Sequence, residues 1–289
     1  MQNDARARLL AGLPVEERRL SLAGISTSFL EGGDGSPVVL LHGPGVYGAA
    51  WLRVIPALAR KHHVIAPDLP GQGASTVGNG PLDADRVLEW IGELIDSTCA
   101  SRPALVGQLT GGAMAARFAL DNPDRIDRLV LVVPLGLAPF EPSPEFAAAL
   151  TGYLAQPTAD THDELWRHCV SDFDGLRREL DTQWEPMKAY NLDRARTPSV
   201  SAAQGILIEQ FGLPEIQPEL LARIAVPTAL IWGRHDSIVR LSVGEAASAR
   251  YGWQLHVVED AGNEPALEAP EAFVQALTAA LDAPAEVTA

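Results

Sequence analysis

The sequence predicts an α/β fold: a mostly parallel sheet with helices on both faces and a helical lid inserted between core strands. Three observations carry this. Short apolar runs without alternation recur at residues 37–41 (PVVLL), 63–67 (HVIAP), 129–133 (LVLVV) and 228–232 (TALIW). Such runs suit strands buried on both faces of a parallel sheet. Helical segments stand between them, the order of βαβ units. The pattern breaks once, across residues 138–222, a helical and proline-punctuated stretch of lid character.

Each element follows in order. Residues 18–31 alternate loosely and read as a hairpin closed near Gly24. PVVLL leads into His42-Gly43-Pro44-Gly45, and residues 49–60 read as an amphipathic helix. HVIAP leads into the glycine-rich loop 68–75. Residues 83–98 read as a helix with Asp83 as N-cap. Residues 104–106 run into Gly107-Gln108-Leu109-Thr110-Gly111-Gly112, and an alanine-rich helix follows to Asp121. After the lid come TALIW, a helix over 241–251, a strand over 254–258 and a last helix over 270–281. The expected division is therefore a core of 1–137 and 223–289 and a lid of 138–222. Ligands of such sheets bind beyond the carboxyl ends of the strands, where the loops at 42–45, 107–112 and 233–236 fall.

The chain has 289 residues, 47% of them hydrophobic, enough for one large core with an insertion. Its net charge is −15, from 37 acidic and 22 basic residues. That balance argues against nucleic acid or an anionic membrane as partner, both of which call for basic patches. Two cysteines, Cys99 and Cys169, make no disulfide framework, and a reducing cytoplasm is expected. The first residues hold no apolar core of signal-peptide length, and no apolar run is long enough to span a membrane. No dinucleotide fingerprint follows the first strand. Asp236, His235 and the distant His42 have no metal-ligand spacing. No cofactor and no metal are expected.

Four ordered motifs then stand out: His42-Gly43-Pro44-Gly45, Asp68-x-x-Gly71-x-Gly73-x-Ser75, Gly107-x-Leu109-x-Gly111-Gly112, and Gly233-Arg234-His235-Asp236 followed by Ala261-Gly262-Asn263. With them the chain resembles the α/β-hydrolase superfamily over nearly its full length outside the lid. The third motif resembles the nucleophile elbow, G-x-S-x-G, a tight turn from strand to helix. The resemblance implies a nucleophile at position 109, an orienting carboxylate at 236 and a histidine base at 263. Here Leu109 carries no lone pair, Asp236 is present, and Asn263 is a neutral amide that cannot act as base. One oxyanion donor is implied at the Thr110 N–H. The other is implied in the 42–45 loop, where Pro44 has no N–H. Losing a nucleophile or its base costs about 10⁶ in rate in the subtilisin precedent. Ordinary serine esterase chemistry is therefore not expected.

The candidate site residues are Asp236, Asn263 and His42, with Gly43, Pro44, Tyr47, Gln108, Leu109 and Thr110 around the pocket and oxyanion region. Asp236 reads either as a desolvated acid or base or as a loop residue bonded to backbone or Asn263. Asn263 reads as a donor to substrate or to Asp236. His42 reads as structural, or as the imidazole nearest the pocket. Glu264 and His235 read as exposed, Gln108 as packed behind the elbow, and Asp68 and Ser75 as holding their loop. Tyr153, Trp166, His168, Trp184 and Tyr190 read as lid core or as cavity lining.

The function expected from these departures is a non-hydrolytic reaction of lyase, isomerase or cyclase type in an apolar, lid-covered pocket. Its substrate would be a mostly apolar small molecule. Two alternatives stay open: a ligand-binding protein without chemistry, and a hydrolase with a relocated nucleophile or a substrate-assisted mechanism. Oligomeric state is not legible.

Overall fold

The structure is a computed structural model and describes residues 2–283. It opens with helix α1 (Gln2–Leu10), then strands β1 (Glu16–Leu22), β2 (Ile25–Gly32) and β3 (Ser36–Leu41), a one-turn helix α2 (Ile55–Leu58), and strands β4 (His62–Pro67) and β5 (Thr76–Val77). Helix α3 (Ala84–Thr98), strand β6 (Ala104–Gln108), helix α4 (Thr110–Asp121) and strand β7 (Arg128–Val132) follow. Between β7 and the next strand stand α5 (Pro144–Ala155), α6 (Ala159–Cys169), α7 (Phe173–Leu180), α8 (Trp184–Ala195), α9 (Pro198–Leu207) and α10 (Pro218–Leu221). The chain closes with β8 (Thr228–Gly233), α11 (Leu241–Tyr251), β9 (Gln254–Val258), α12 (Pro265–Glu268) and α13 (Pro270–Asp282).

These strands form one sheet in the order β1-β2-β4-β3-β6-β7-β8-β9, with β5 beside β2. All pairings from β4 to β9 are parallel, and β2 pairs antiparallel with β1, β4 and β5. The apolar runs behave as their composition dictates. Val39, Leu40, Leu105, Leu131 and Ile231 are fully buried, covered by helices on both faces. The fold is the mostly parallel α/β arrangement that the sequence predicts. Asp83 caps α3 by accepting from Arg86 N at 3.0 Å.

Two elements differ from the sequence reading. The helix expected over 49–60 is broken into a 3₁₀ turn at Gly48–Trp51 and the single turn of α2. Pro56 lacks an N–H and is tolerated only in a first helical turn, so a continuous helix cannot pass through it. Helix α1 is not legible in the sequence, because its composition is polar. Tertiary contacts hold it: Arg6 is buried, with Nε 3.0 Å from Glu17 Oε1 and Nη2 3.0 Å from Asp68 Oδ2. Its guanidinium lies 5.1 Å from the Tyr47 ring centroid and 5.6 Å from that of Tyr190 on α8.

The helices between β7 and β8 have their own aromatic cluster. His162 and Trp166 stack at 5.7 Å, and Trp184 meets His162, Trp166 and Phe173 edge-on at 5.4–5.8 Å. Tyr153 packs on His162, and Tyr190 on Tyr47. These aromatics thus fill the helical layer, while His168 lies half-buried near Glu164. The sequence reading passes over His162, the ring at the centre. Beyond Leu207, α9 widens into a π turn at Ile208–Gly212. Among the described residues, no helix is long and apolar enough to cross a membrane.

Candidate functional site

The site is built on the end of β6. The chain turns at Leu109 with φ 48 and ψ −113, then enters α4 at Thr110. A positive φ is uncommon for a branched side chain. The surrounding backbone imposes it: Leu109 N donates to Val132 O at 3.1 Å, and its carbonyl accepts from Ala113 N and Leu135 N. Strand and helix also approach too closely for side chains at the flanking glycines. A Cβ on Gly107 would stand 2.4 Å from Gly111 O, and one on Gly111 2.6 Å from His42 O. Local geometry is therefore that of a strand–turn–helix elbow. Its apex is a buried leucine facing Gly43, whose added Cβ would lie 3.2 Å from Leu109 Cδ1.

Asp236 lies in the turn after β8. Its Oδ1 accepts from Ile238 N at 2.8 Å and Val239 N at 2.9 Å, and its Oδ2 accepts from Asn263 Nδ2 at 2.9 Å. Burial disfavours its charge and pushes its pKa up to about 6, despite these three bonds, each of which pulls the other way. The carboxylate also fixes the Asn263 amide through its nitrogen. Asn263 N donates to Cys169 O at 3.0 Å, so α6 of the inserted layer helps hold it.

Gln108, immediately before the apex, joins this group to the elbow. Its Nε2 donates to Asn263 O at 3.1 Å and to Glu264 Oε2 at 2.9 Å. Asp236, Asn263, Gln108 and Glu264 thus form one connected polar chain ending beside Leu109. Glu264 corrects the sequence reading: it is buried, not exposed. Helix α12 begins at Pro265 and folds back, placing the acid under the elbow. Burial raises its pKa to about 8, the Gln108 bond partly opposing this and the charges of Glu268 and Asp236 adding to it. Nothing in the sequence signals this except its position directly after Asn263. Sequence reasoning also misses Glu268: its Oε1 accepts from Gly262 N and Glu264 N, and its Oε2 from Ser171 N and Oγ.

His42 is fully buried, and both ring nitrogens are engaged. Nδ1 lies 2.7 Å from Gly43 O, and Nε2 accepts from Leu69 N at 3.0 Å. Nδ1 must therefore carry the proton, which leaves no free lone pair on the ring. Burial lowers its pKa to about 4. The geometry is that of a brace between two loops. Asp68 is a similar brace, accepting from Gly48 N and Ala74 N at 2.7 Å, and Ser75 Oγ donates to its carbonyl. Tyr47 is buried against Tyr190 and Arg6. His235 is exposed. Among the described residues, no group of three or more His, Cys, Asp or Glu is placed to hold a metal ion.

The space over the elbow is small. Gly43, Pro44, Leu69, Gln72, Thr110, Gln204, Leu207 and Ile208 enclose about 10 Å³ there. That is room for about one water-sized group. Helix α9 and its π turn line it from above, so a lid-covered space stands beside the elbow but a small one. A larger cleft of about 180 Å³ lies to one side, between the 134–141 loop and residues 238–243.

Residues 38–276 match the model of the "Alpha/beta hydrolase family". The chain belongs to the alpha/beta hydrolase family. A pimeloyl-[acyl-carrier protein] methyl ester esterase of Aeromonas hydrophila is 28% identical over 266 residues, 87% of this chain and 97% of that protein. A 2-hydroxy-6-oxo-6-(2'-aminophenyl)hexa-2,4-dienoic acid hydrolase of Metapseudomonas resinovorans is 27% identical, over 94% of this chain and 93% of its own. A solved 2-hydroxy-6-oxo-6-phenylhexa-2,4-dienoate hydrolase from a Rhodococcus species superposes with a TM-score of 0.81 at 27% identity, covering 93% of this chain and 99% of that one. These names correct the expected chemistry. The relatives are hydrolases and an esterase, so a reaction of lyase, isomerase or cyclase type loses its support.

Proposed function

We propose that this protein is a small-molecule hydrolase in which water, not a side chain at the elbow, attacks the substrate carbonyl. In this reading the nucleophile and histidine roles at positions 109 and 263 have been lost and the carboxylate at 236 kept. The observation that carries it is the Asp236–Asn263 pair, joined through the Asn263 carbonyl to Gln108, the residue before Leu109. A carboxylate oxygen has two lone pairs, so Asp236 Oδ2 keeps one acceptor site beside the Asn263 amide. Asp236, ionised above about pH 6, takes the proton of a water that Asn263 orients. Water oxygen bonds to the carbonyl carbon, the carbonyl oxygen becomes an oxyanion at the Thr110 N–H, and collapse breaks the bond to the leaving group. That group takes the proton back from Asp236. The products are an acid and an alcohol from an ester, or an acid and a protonated carbon from a ketone cleaved at its C–C bond.

The relatives' names support substrates with a reactive carbonyl: a methyl ester and aryl-substituted 2-hydroxy-6-oxo-dienoates. The 10 Å³ space over the elbow means that α9 and the π turn move aside to admit them. The test is hydrolysis of both substrate classes in H₂¹⁸O, with intact-mass analysis after a fluorophosphonate probe. Hydrolysis with ¹⁸O in the acid product, no covalent adduct and loss of rate in Asp236→Asn are expected. No hydrolysis across the panel, or an adduct mapped to a side chain, overturns the reading.

A further inference from the structure

Thr110 is the first residue of α4 and is almost fully buried, yet its Oγ1 has no hydrogen-bond partner. Leaving a buried hydroxyl unsatisfied costs about 1–3 kcal/mol, and most such groups in native structures meet a partner or an unseen ligand. Thr110 lines the small space over the elbow together with Gly43, Pro44, Gln72 and Gln204. The Gln72 amide is already committed to Val200 O at 3.2 Å. The Thr110 Oγ1 faces the π turn that roofs this space, 3.3 Å from where a Gly212 Cβ would stand. The volume, about 10 Å³, suits a single oxygen atom and little more. Pro44 lines the same space and has no N–H to offer.

We propose that the Thr110 hydroxyl is a catalytic hydrogen-bond donor to the substrate's carbonyl oxygen, taking the place of the backbone donor that Pro44 cannot supply. One residue would then provide both donors of the oxygen site. Its N–H lies at the positive end of the α4 dipole, and its Oγ1–H approaches from the roof side. This rests on the hydrolytic reading, but the oxygen site itself does not depend on turnover.

The experiment compares Thr110→Val, Thr110→Ser and Pro44→Ala, alone and combined. Removing one oxyanion donor costs about 10²–10³ in kcat. Thr110→Val is expected to lose about that much with KM little changed, and Thr110→Ser to keep most of the rate. Pro44→Ala restores an N–H and is expected to recover rate in the Thr110→Val background. Thr110→Val should melt no lower than the parent protein, since the buried hydroxyl has no bond to lose. Full rate in Thr110→Val, absence of rescue by Pro44→Ala, or a rate loss matched by a drop in Tm overturns the proposal while the hydrolytic reading stands. Acetate titration followed by NMR separates the two ideas if the protein hydrolyses nothing. Shifts at the Thr110 and Gly43 amides that Thr110→Val weakens at least about 10-fold, the 1.4 kcal/mol of one hydrogen bond, would keep the oxygen site and discard hydrolysis. No such shifts would discard both.

Discussion

Asn263 Nδ2 donates to Asp236 Oδ2 at 2.9 Å, and the same asparagine accepts from Gln108 through its backbone carbonyl. A side-chain amide thereby ties the carboxylate after β8 to the elbow after β6. Replacing Asn263 with leucine leaves the buried Asp236 one donor short. A stability loss of about 1–3 kcal/mol is expected, read as a lower urea midpoint at unchanged slope. An unchanged midpoint would show that water fills the gap at no cost.

The Asp236 pKa sets a pH dependence. Its folded value, about 6, lies above its ordinary 3.8 because burial disfavours the charge. The ionised form that accepts a proton is populated only above that value, so the hydrolytic rate should rise through about pH 6 and level off. Asp236→Asn should abolish this limb. A limb that persists in the variant belongs to another group.

Glu264 predicts the pH dependence of stability. Its pKa rises from 4.5 to about 8, chiefly through burial. A group whose folded pKa is raised stabilises fully below its unfolded pKa, and that contribution is lost as pH rises through the folded value. Thermal melts should therefore show Tm falling between about pH 5 and about pH 9. Glu264→Gln should flatten that slope while keeping an acceptor for Gln108. A parallel slope in the variant would exonerate Glu264.

The elbow itself can be tested by restoring what it lacks. Leu109→Ser alone should stay unreactive to a fluorophosphonate, because no imidazole stands beside it. Leu109→Ser with Asn263→His should take up the label at position 109, since φ 48 at the apex and the Asp236 carboxylate are already in place. Labelling of the single variant, or silence of the double, would count against this geometry.

Arg6 ties α1 to the core and to α8 through Asp68 and Tyr190. Burial alone lowers its pKa, but Asp68, Tyr190, Glu17 and Tyr47 together raise it, so it stays charged. Removing one partner of a buried ion pair costs about 3–5 kcal/mol. Arg6→Ala should approach the lower figure, because Asp68 keeps two backbone donors. Faster proteolysis within 144–221 would accompany the loss if α1 also restrains the inserted helices.

Much of this molecule is written locally. PVVLL, HVIAP, LVLVV and TALIW form strands because short apolar runs are stable only when covered on both faces. The order of the motifs then puts positions 42–45, 107–112, 236 and 263 at one end of the sheet. That a leucine stands at position 109 and an asparagine at 263, neither able to attack a carbonyl or to take up a proton, is likewise a property of side-chain chemistry, readable without coordinates. Local pattern fails where a neighbour distant in sequence decides. Glu264 looks like a surface acid until α12 folds it under Gln108, and α1 looks like a polar tail until Arg6 meets Asp68. His42 looks available until Gly43 and Leu69 occupy both of its nitrogens. The size of the space over Leu109 is not legible in any motif: α9 and its π turn leave room there for about one water-sized group, because packing between layers is set by whole elements and not by the residues of any one motif. The sequence by itself determined the sheet, the strand–turn–helix elbow and the leucine at its apex. Only the tertiary structure decided which polar groups are spent as braces and which, like Thr110 Oγ1, are left without a partner, since desolvation and hydrogen-bond satisfaction exist only once distant segments meet.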